Sequence, residues 1–209
     1  MNRVFYILFL SIFFIQCEEA STDKAVPIRN VQGKYMHIEE ENIYLFVPEN
    51  TERFTTYEYA ALIDSIPNEE LRRRQRNKLL NLKYGTGGGL HLFASKDFST
   101  EITFKKVPHI TINQETAQIV LKLLNREHES LGNLIGLESR FKKAGIIRKE
   151  NDRFFRAIFS FEEFDPSSGV LLTFHTYYYW VNRQGKSFIL TFNTDRGYDF
   201  DSYVQKIRL

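Results

Sequence analysis

Between residues 138 and 193, four segments rich in β-branched and aromatic side chains follow one another with only turn residues between them, and this spacing constrains the fold more than any other feature of the chain. The segments cover 138–149, 153–161, 170–181 and 186–193. Asn151-Asp152, Asp165-Pro166-Ser167-Ser168-Gly169 and Asn182-Arg183-Gln184-Gly185 supply the turns. A parallel connection needs a crossover of about a dozen residues or more, so strands joined this closely pair antiparallel. Helices must come from other parts of the chain and lie on the sheet.

The remainder supplies them. Tyr35 to Ile38 and Ile43 to Val47 flank the polar Glu39-Glu40-Glu41-Asn42 and read as a hairpin stopped by Pro48. Tyr59, Leu62, Ile63 and Ile66 recur at helical spacing, with Thr55 or Thr56 as N-cap and Pro67 as terminator. A second helix starts at the Asn68 cap, carries Glu69 and Glu70 in its first turn and ends before the glycines at 85–89. Strands follow at 90–95 and 101–107. Ala117, Val120, Leu121 and Leu124 mark a third helix from the Asn113 cap to about residue 129, and Phe200, Tyr203, Val204 and Ile207 a fourth. The order predicts an α+β domain over 34–209, an antiparallel sheet of about six to eight strands covered by three or four helices.

Tyr177-Tyr178-Tyr179-Trp180-Val181, then Gly185-Lys186-Ser187-Phe188-Ile189-Leu190-Thr191-Phe192, then the helix around Phe200 and Val204 give the carboxy-terminal half an order that resembles the PsbP-like fold. Members of that family pair a long antiparallel sheet with flanking helices. The resemblance carries over no functional residue.

The other end of the chain has a different character. Arg3 precedes an uncharged run from Val4 to Ile15, broken only by Ser11. As a helix, these twelve residues span about 18 Å of a bilayer core about 30 Å thick, which suits a signal peptide and not a transmembrane helix. Cys17 ends the run and is the only cysteine, so no internal disulfide can form. The run and its cysteine resemble the lipobox of bacterial lipoproteins, although Phe14 and Gln16 depart from the usual aliphatic and small residues. The resemblance implies a signal peptide over 1–16, acylation of Cys17, for example with palmitate, a flexible tether over 17–33, and a bacterial cell-envelope location, at the outer membrane or cell surface. An ordinary signal peptide cleaved near Ala20 is the alternative.

Charge and motifs narrow the function. Without Arg3 the chain has 27 basic and 26 acidic side chains, too near neutral for a nucleic-acid binder that must neutralise phosphates. Gly85-Thr86-Gly87-Gly88-Gly89 lacks the Gly-Lys-Ser/Thr of a phosphate loop and reads as a helix-to-strand connection. The five histidines show no HExxH spacing, and no Gly-x-Ser-x-Gly elbow is present. Asn193, Asp195, Gly197, Asp199 and Asp201 alternate as Ca²⁺ ligands do, but the glycine and closing Glu of an EF-hand are misplaced, so a turn and helix cap are expected. The sequence thus assigns no catalytic residue, metal or cofactor.

Two surfaces remain as candidates. Arg72, Arg73, Arg74, Arg76 and Lys78 form the one local charge excess, either a solvated helix face or a contact for anionic headgroups or an acidic partner. Tyr177, Tyr179 and Trp180 lie in a strand whose two faces both look apolar and are candidates for lining a ligand pocket. The leading expectation is a non-catalytic accessory domain that binds another envelope protein. A carrier of a small or lipidic ligand is the second, and an enzyme of unrecognised type the third.

Overall fold

A computed structural model of the chain describes residues 31–85, 89–149, 152–165, 170–195 and 200–209. Strands β1 (Lys34–Ile38) and β2 (Ile43–Val47) form the opening hairpin. Strand β3 (Thr51–Phe54), helices α1 (Thr56–Asp64) and α2 (Glu69–Gly85), and strands β4 (Leu90–Ser95) and β5 (Thr100–Lys106) follow. Helix α3 (Gln114–Ile135) then leads into β6 (Glu138–Lys149), β7 (Asp152–Asp165), β8 (Val170–Arg183) and β9 (Lys186–Thr194), and α4 (Phe200–Gln205) is the last helix.

β3 to β9 make a seven-stranded sheet in the order β3-β4-β5-β9-β8-β7-β6, with every neighbouring pair antiparallel. The expected α+β class, strand number and helix number all hold. β3 was not foreseen, because Thr51-Glu52-Arg53-Phe54 offers few apolar residues; it is a short edge strand made by pairing with β4. At the opposite edge, β6 has a bulge between Phe141 and Lys143.

Local chemistry sets the ends of the elements. Thr55 caps α1 in a reciprocal capping box with Glu58, and the Asn68 side chain accepts from the Leu71 N–H at 2.9 Å. α1 stops at Asp64, so Ile66 lies beyond the helix although it still packs in the core. Gln184 and Gly185 have φ values of 47° and 76°, as a two-residue type I′ turn between β8 and β9 requires. α3 runs past the expected end near residue 129 to Ile135, where Gly136 adopts the left-handed conformation.

Alternation along the strands gives the sheet two buried faces. On one, Phe93, Phe104, Tyr179, Phe188 and Phe192 pack beneath Ile43, Leu45 and Val47 of the hairpin and Phe200 and Val204 of α4. The chain's last residues close this side: Tyr44 and Arg208 exchange backbone hydrogen bonds of 2.8 and 3.0 Å, and Arg183 donates to the Ile207 carbonyl at 2.6 Å. On the other face, Ala117 and Leu124 of α3 cover Phe155, Ala157, Phe159, Tyr178 and Trp180, while Tyr59, Ile63 and Leu79 of α1 and α2 cover Leu92 and Ala94.

Gly132 explains how α3 reaches the sheet. A Cβ at this position would lie 2.8 Å from the Leu137 carbonyl oxygen and 3.2 Å from the Phe161 ring. Alanine favours a helix interior by about 1 kcal/mol over glycine, but the close approach reverses the sign. Gly132→Ala is expected to destabilise the domain by about 1–3 kcal/mol through overpacking, measured as the change in urea-unfolding free energy.

Candidate functional site

Between the area covered by α1 and α2 and the area covered by α3, the centre of the sheet is polar. β5 reads Glu101-Ile102-Thr103-Phe104 and β9 reads Thr191-Phe192-Asn193. Their apolar members face the hairpin, and Glu101 and Asn193 face the helices. Glu101 and Asn193 are direct register partners, and Thr176 of β8 is the next partner along the row.

Hydrogen bonds join this row. Asn193 Nδ2 donates to Glu101 at 2.8 Å, and Asn193 Oδ1 accepts from the Thr176 hydroxyl at 2.8 Å. The Tyr59 hydroxyl donates to Glu101 at 2.7 Å, and Lys78 Nζ of α2 lies 2.9 Å from the same carboxylate. Glu101 is 3% exposed. Burial alone would raise its pKa, but the Lys78 charge and the hydrogen bonds from Lys78, Tyr59 and Asn193 outweigh it and hold the carboxyl below its ordinary range. The Tyr59 phenol is pushed far above its ordinary range by burial and by the Glu101 charge.

A cavity of about 120 Å³ opens above the row. α2 contributes Leu71, Arg74, Gln75 and Lys78, and α3 contributes Leu131 and Ile135. Phe161 of β7 and Phe174 of β8, themselves register partners, extend the apolar wall. Within the lining, Arg74 Nη1 donates to both Glu163 oxygens at 2.7 and 2.8 Å, and its Nη2 to Glu70 at 2.7 Å. Two polar atoms in the lining have no such partner. Arg74 Nε and Gln75 Oε1 are buried and meet no hydrogen-bond partner among the described residues.

Beside the cavity, α3 buries His128 completely. Its ring stacks on Phe161 with centroids 4.0 Å apart and on Phe159 at 4.6 Å, and Nδ1 shares a 2.6 Å hydrogen bond with the Ser139 hydroxyl. Burial, with the Lys78 charge adding to it, lowers the His128 pKa from 6.5 to about 4.

The expected basic patch divides. Arg74 and Lys78 turn inward to the cavity, and Arg72 donates to the Ile66 carbonyl at 3.2 Å. Arg76 is exposed and pairs with Asp64 at 2.7 Å; Arg73 is exposed. The five cations therefore do not form one surface, because a helix turns about 100° per residue and distributes consecutive side chains around its axis. The three aromatic candidates also separate. Tyr177 and Tyr179 line an open cleft of about 280 Å³ on the hairpin side, with Arg156, His175, Phe200 and Asp201, whereas Trp180 is in the core under α3. A single pocket cannot hold all three, since odd and even strand positions point to opposite faces.

The alternating oxygens are committed elsewhere. Asn193 belongs to the Glu101 network, and Asp201 accepts from Arg156 and, at 2.7 Å, from the Tyr179 hydroxyl. Gly197 and Asp199 lie outside the described residues, as do Cys17 and the expected signal peptide. Among the described residues no three His, Cys, Asp or Glu side chains come together as a metal site would require.

No protein-family model matches the chain, and no curated protein matches it. Among solved structures the chain is similar to the solution structure of cyanobacterial PsbP (CyanoP) from Synechocystis sp. PCC 6803. The TM-score is 0.50 and the sequence identity 8%, with 91% of this chain and 98% of that chain covered. The two share a fold, and the likeness extends well beyond the carboxy-terminal half in which the sequence suggests it.

The buried network leads to two predictions. Lys78→Met leaves Glu101 buried without its cation and is expected to cost about 3–5 kcal/mol. The depressed carboxyl pKa stabilises the fold above its ordinary value of 4.5 and stops doing so as the pH falls through the folded-state pKa. The gap between wild type and Lys78→Met in urea unfolding should therefore be widest near neutrality and narrow in acid. For His128 the unfolded chain takes up a proton near pH 6.5 and the folded chain only near 4, so stability drops as the pH is lowered from 6.5 to 4, by on the order of 3 kcal/mol. His128→Phe should flatten that slope, measured as unfolding free energy against pH.

Proposed function

We propose that this PsbP-like α+β domain is a non-catalytic accessory domain, held at a bacterial cell envelope by an acyl chain on Cys17 and working through contact with another envelope protein. The observation that carries this reading is the state of the polar groups at the centre of the sheet. Lys78, Tyr59 and Asn193 engage Glu101, and Glu163 and Glu70 engage Arg74. A general base needs a pKa near the working pH and an accessible lone pair. Glu101, with its depressed pKa and its oxygens engaged, is organised to stay ionised and in place.

The sequence supports the anchor through the short apolar run that ends at the lone cysteine. Several acyl chains, each methylene contributing about 0.8 kcal/mol, would hold the protein to a bilayer firmly. The outer face of α2, with Arg73 and Arg76, supports a contact with an acidic partner or anionic headgroups.

A second reading, carriage of a small ligand, draws on the cavity beside Lys78. Its volume of about 120 Å³ is well below the roughly 300–1,000 Å³ of a drug-sized site. A whole acyl chain does not fit, so the lipidic form of this reading loses support.

Cys17→Ala is expected to move the protein from the membrane pellet to the soluble envelope fraction and to abolish incorporation of labelled palmitate. A variant that stays in the pellet would count against the anchor. Affinity purification of the lipidated chain from its own envelope tests the accessory reading, which expects one partner in near-equal amount.

A further inference from the structure

We propose that the cavity between α2, α3 and the sheet is a binding site for a small, uncharged, single-ring molecule that carries one polar group, such as a phenol. The inference rests on the carrier reading and names the chemical class that the site would take. Size sets the first limit. A cavity of about 150 Å³ lined by apolar side chains accommodates benzene, and this one measures about 120 Å³. One six-membered ring is therefore close to the largest body that enters without displacing α2 or α3.

Charge sets the second. Lys78 is matched by Glu101 and Arg74 by Glu163 within the lining, so an ion entering here would leave water without finding a free counter-charge, a costly exchange. The ligand is neutral.

Hydrogen bonding sets the third. Arg74 Nε is a buried donor and Gln75 Oε1 a buried acceptor, both without partners among the described residues. Each such atom is costly while it stays unmet, because it has lost water and gained no partner. A hydroxyl group both accepts and donates, so the molecule's polar end belongs on the α2 side. Its ring belongs against Phe161, Phe174, Leu131 and Ile135, where a water molecule would find few hydrogen-bond partners. The Arg74–Glu163 pair is part of the same lining, with side chains only 17% and 31% exposed.

The test is equilibrium dialysis of labelled phenol against the full chain in lipid nanodiscs, with empty nanodiscs as the blank. Toluene serves as the apolar isostere and benzoate as the charged analogue. Phenol is expected to bind at millimolar concentration and benzoate at least tenfold more weakly. Leu131→Phe, which fills the space with a ring of its own, should weaken phenol by tenfold or more. Gln75→Leu keeps the volume and should remove the preference for phenol over toluene, and it provides the same test if Leu131→Phe does not fold. Binding that survives Leu131→Phe and Gln75→Leu but is lost in Tyr177→Ala would place the ligand in the open cleft, overturning this site while leaving the carrier reading intact. No binding above empty nanodiscs overturns both.

Discussion

The antiparallel pairing of β5 with β9 holds this structure together. Without it the chain would make two separate sheets, β3-β4-β5 under α1 and α2, and β9-β8-β7-β6 under α3. The pairing runs from Thr100 opposite Thr194 to Lys106 opposite Phe188, and it continues the apolar layer on the hairpin side from Ile102 and Phe104 to Leu190 and Phe192. The same register places Glu101 of one sheet half opposite Asn193 of the other. The polar centre is therefore a feature of the seam, and neither half contains it alone.

This seam marks the limit of what the sequence makes legible. The four closing strands follow from turn spacing, because short connections leave antiparallel neighbours as the only physical option. The helices follow from apolar periodicity and from caps such as Thr55 and Asn113, whose side chains bond where expected. The β5–β9 pairing does not follow, since α3, β6, β7 and β8 intervene and nothing local records which strand β5 will meet. Glu101 was missed for a related reason. Alternation of polar and apolar residues along β5 is visible, yet an ordinary half-exposed strand shows the same pattern. Only the position of α2 shows that its polar side is buried. Gly132 lies beyond the helix end expected near residue 129, yet it is inside α3, where the lack of a side chain permits close contact with the sheet.

The two faces of the sheet divide the physical work. The hairpin side is held mainly by aromatic packing, with Phe192 stacked on Phe200 at 4.3 Å and Tyr179 edge-on to Phe192. The helix side mixes apolar packing under α3 with ionised pairs at the seam. Such pairs contribute little net stability where burial costs as much as attraction returns, but they penalise any arrangement in which one partner is missing. Lys78 and Glu101 thus fix where α2 lies, and Arg74 with Glu163 fixes its distance from β7. The cavity keeps its shape because charged residues hold its roof.

The closure of the hairpin by the last residues also governs the order in which the fold can be completed. Ile43, Leu45 and Val47 leave the ribosome more than 140 residues ahead of their partners Phe188, Phe200, Val204 and Ile207. The Tyr44–Arg208 bridge joins positions 164 residues apart, and contacts of such long range form slowly because the loop-closure entropy comes due before they do. During synthesis the hairpin must therefore remain with its apolar side uncovered until α4 and the residues through Arg208 have emerged. Such a chain has a long window in which it needs protection from association with other copies of itself.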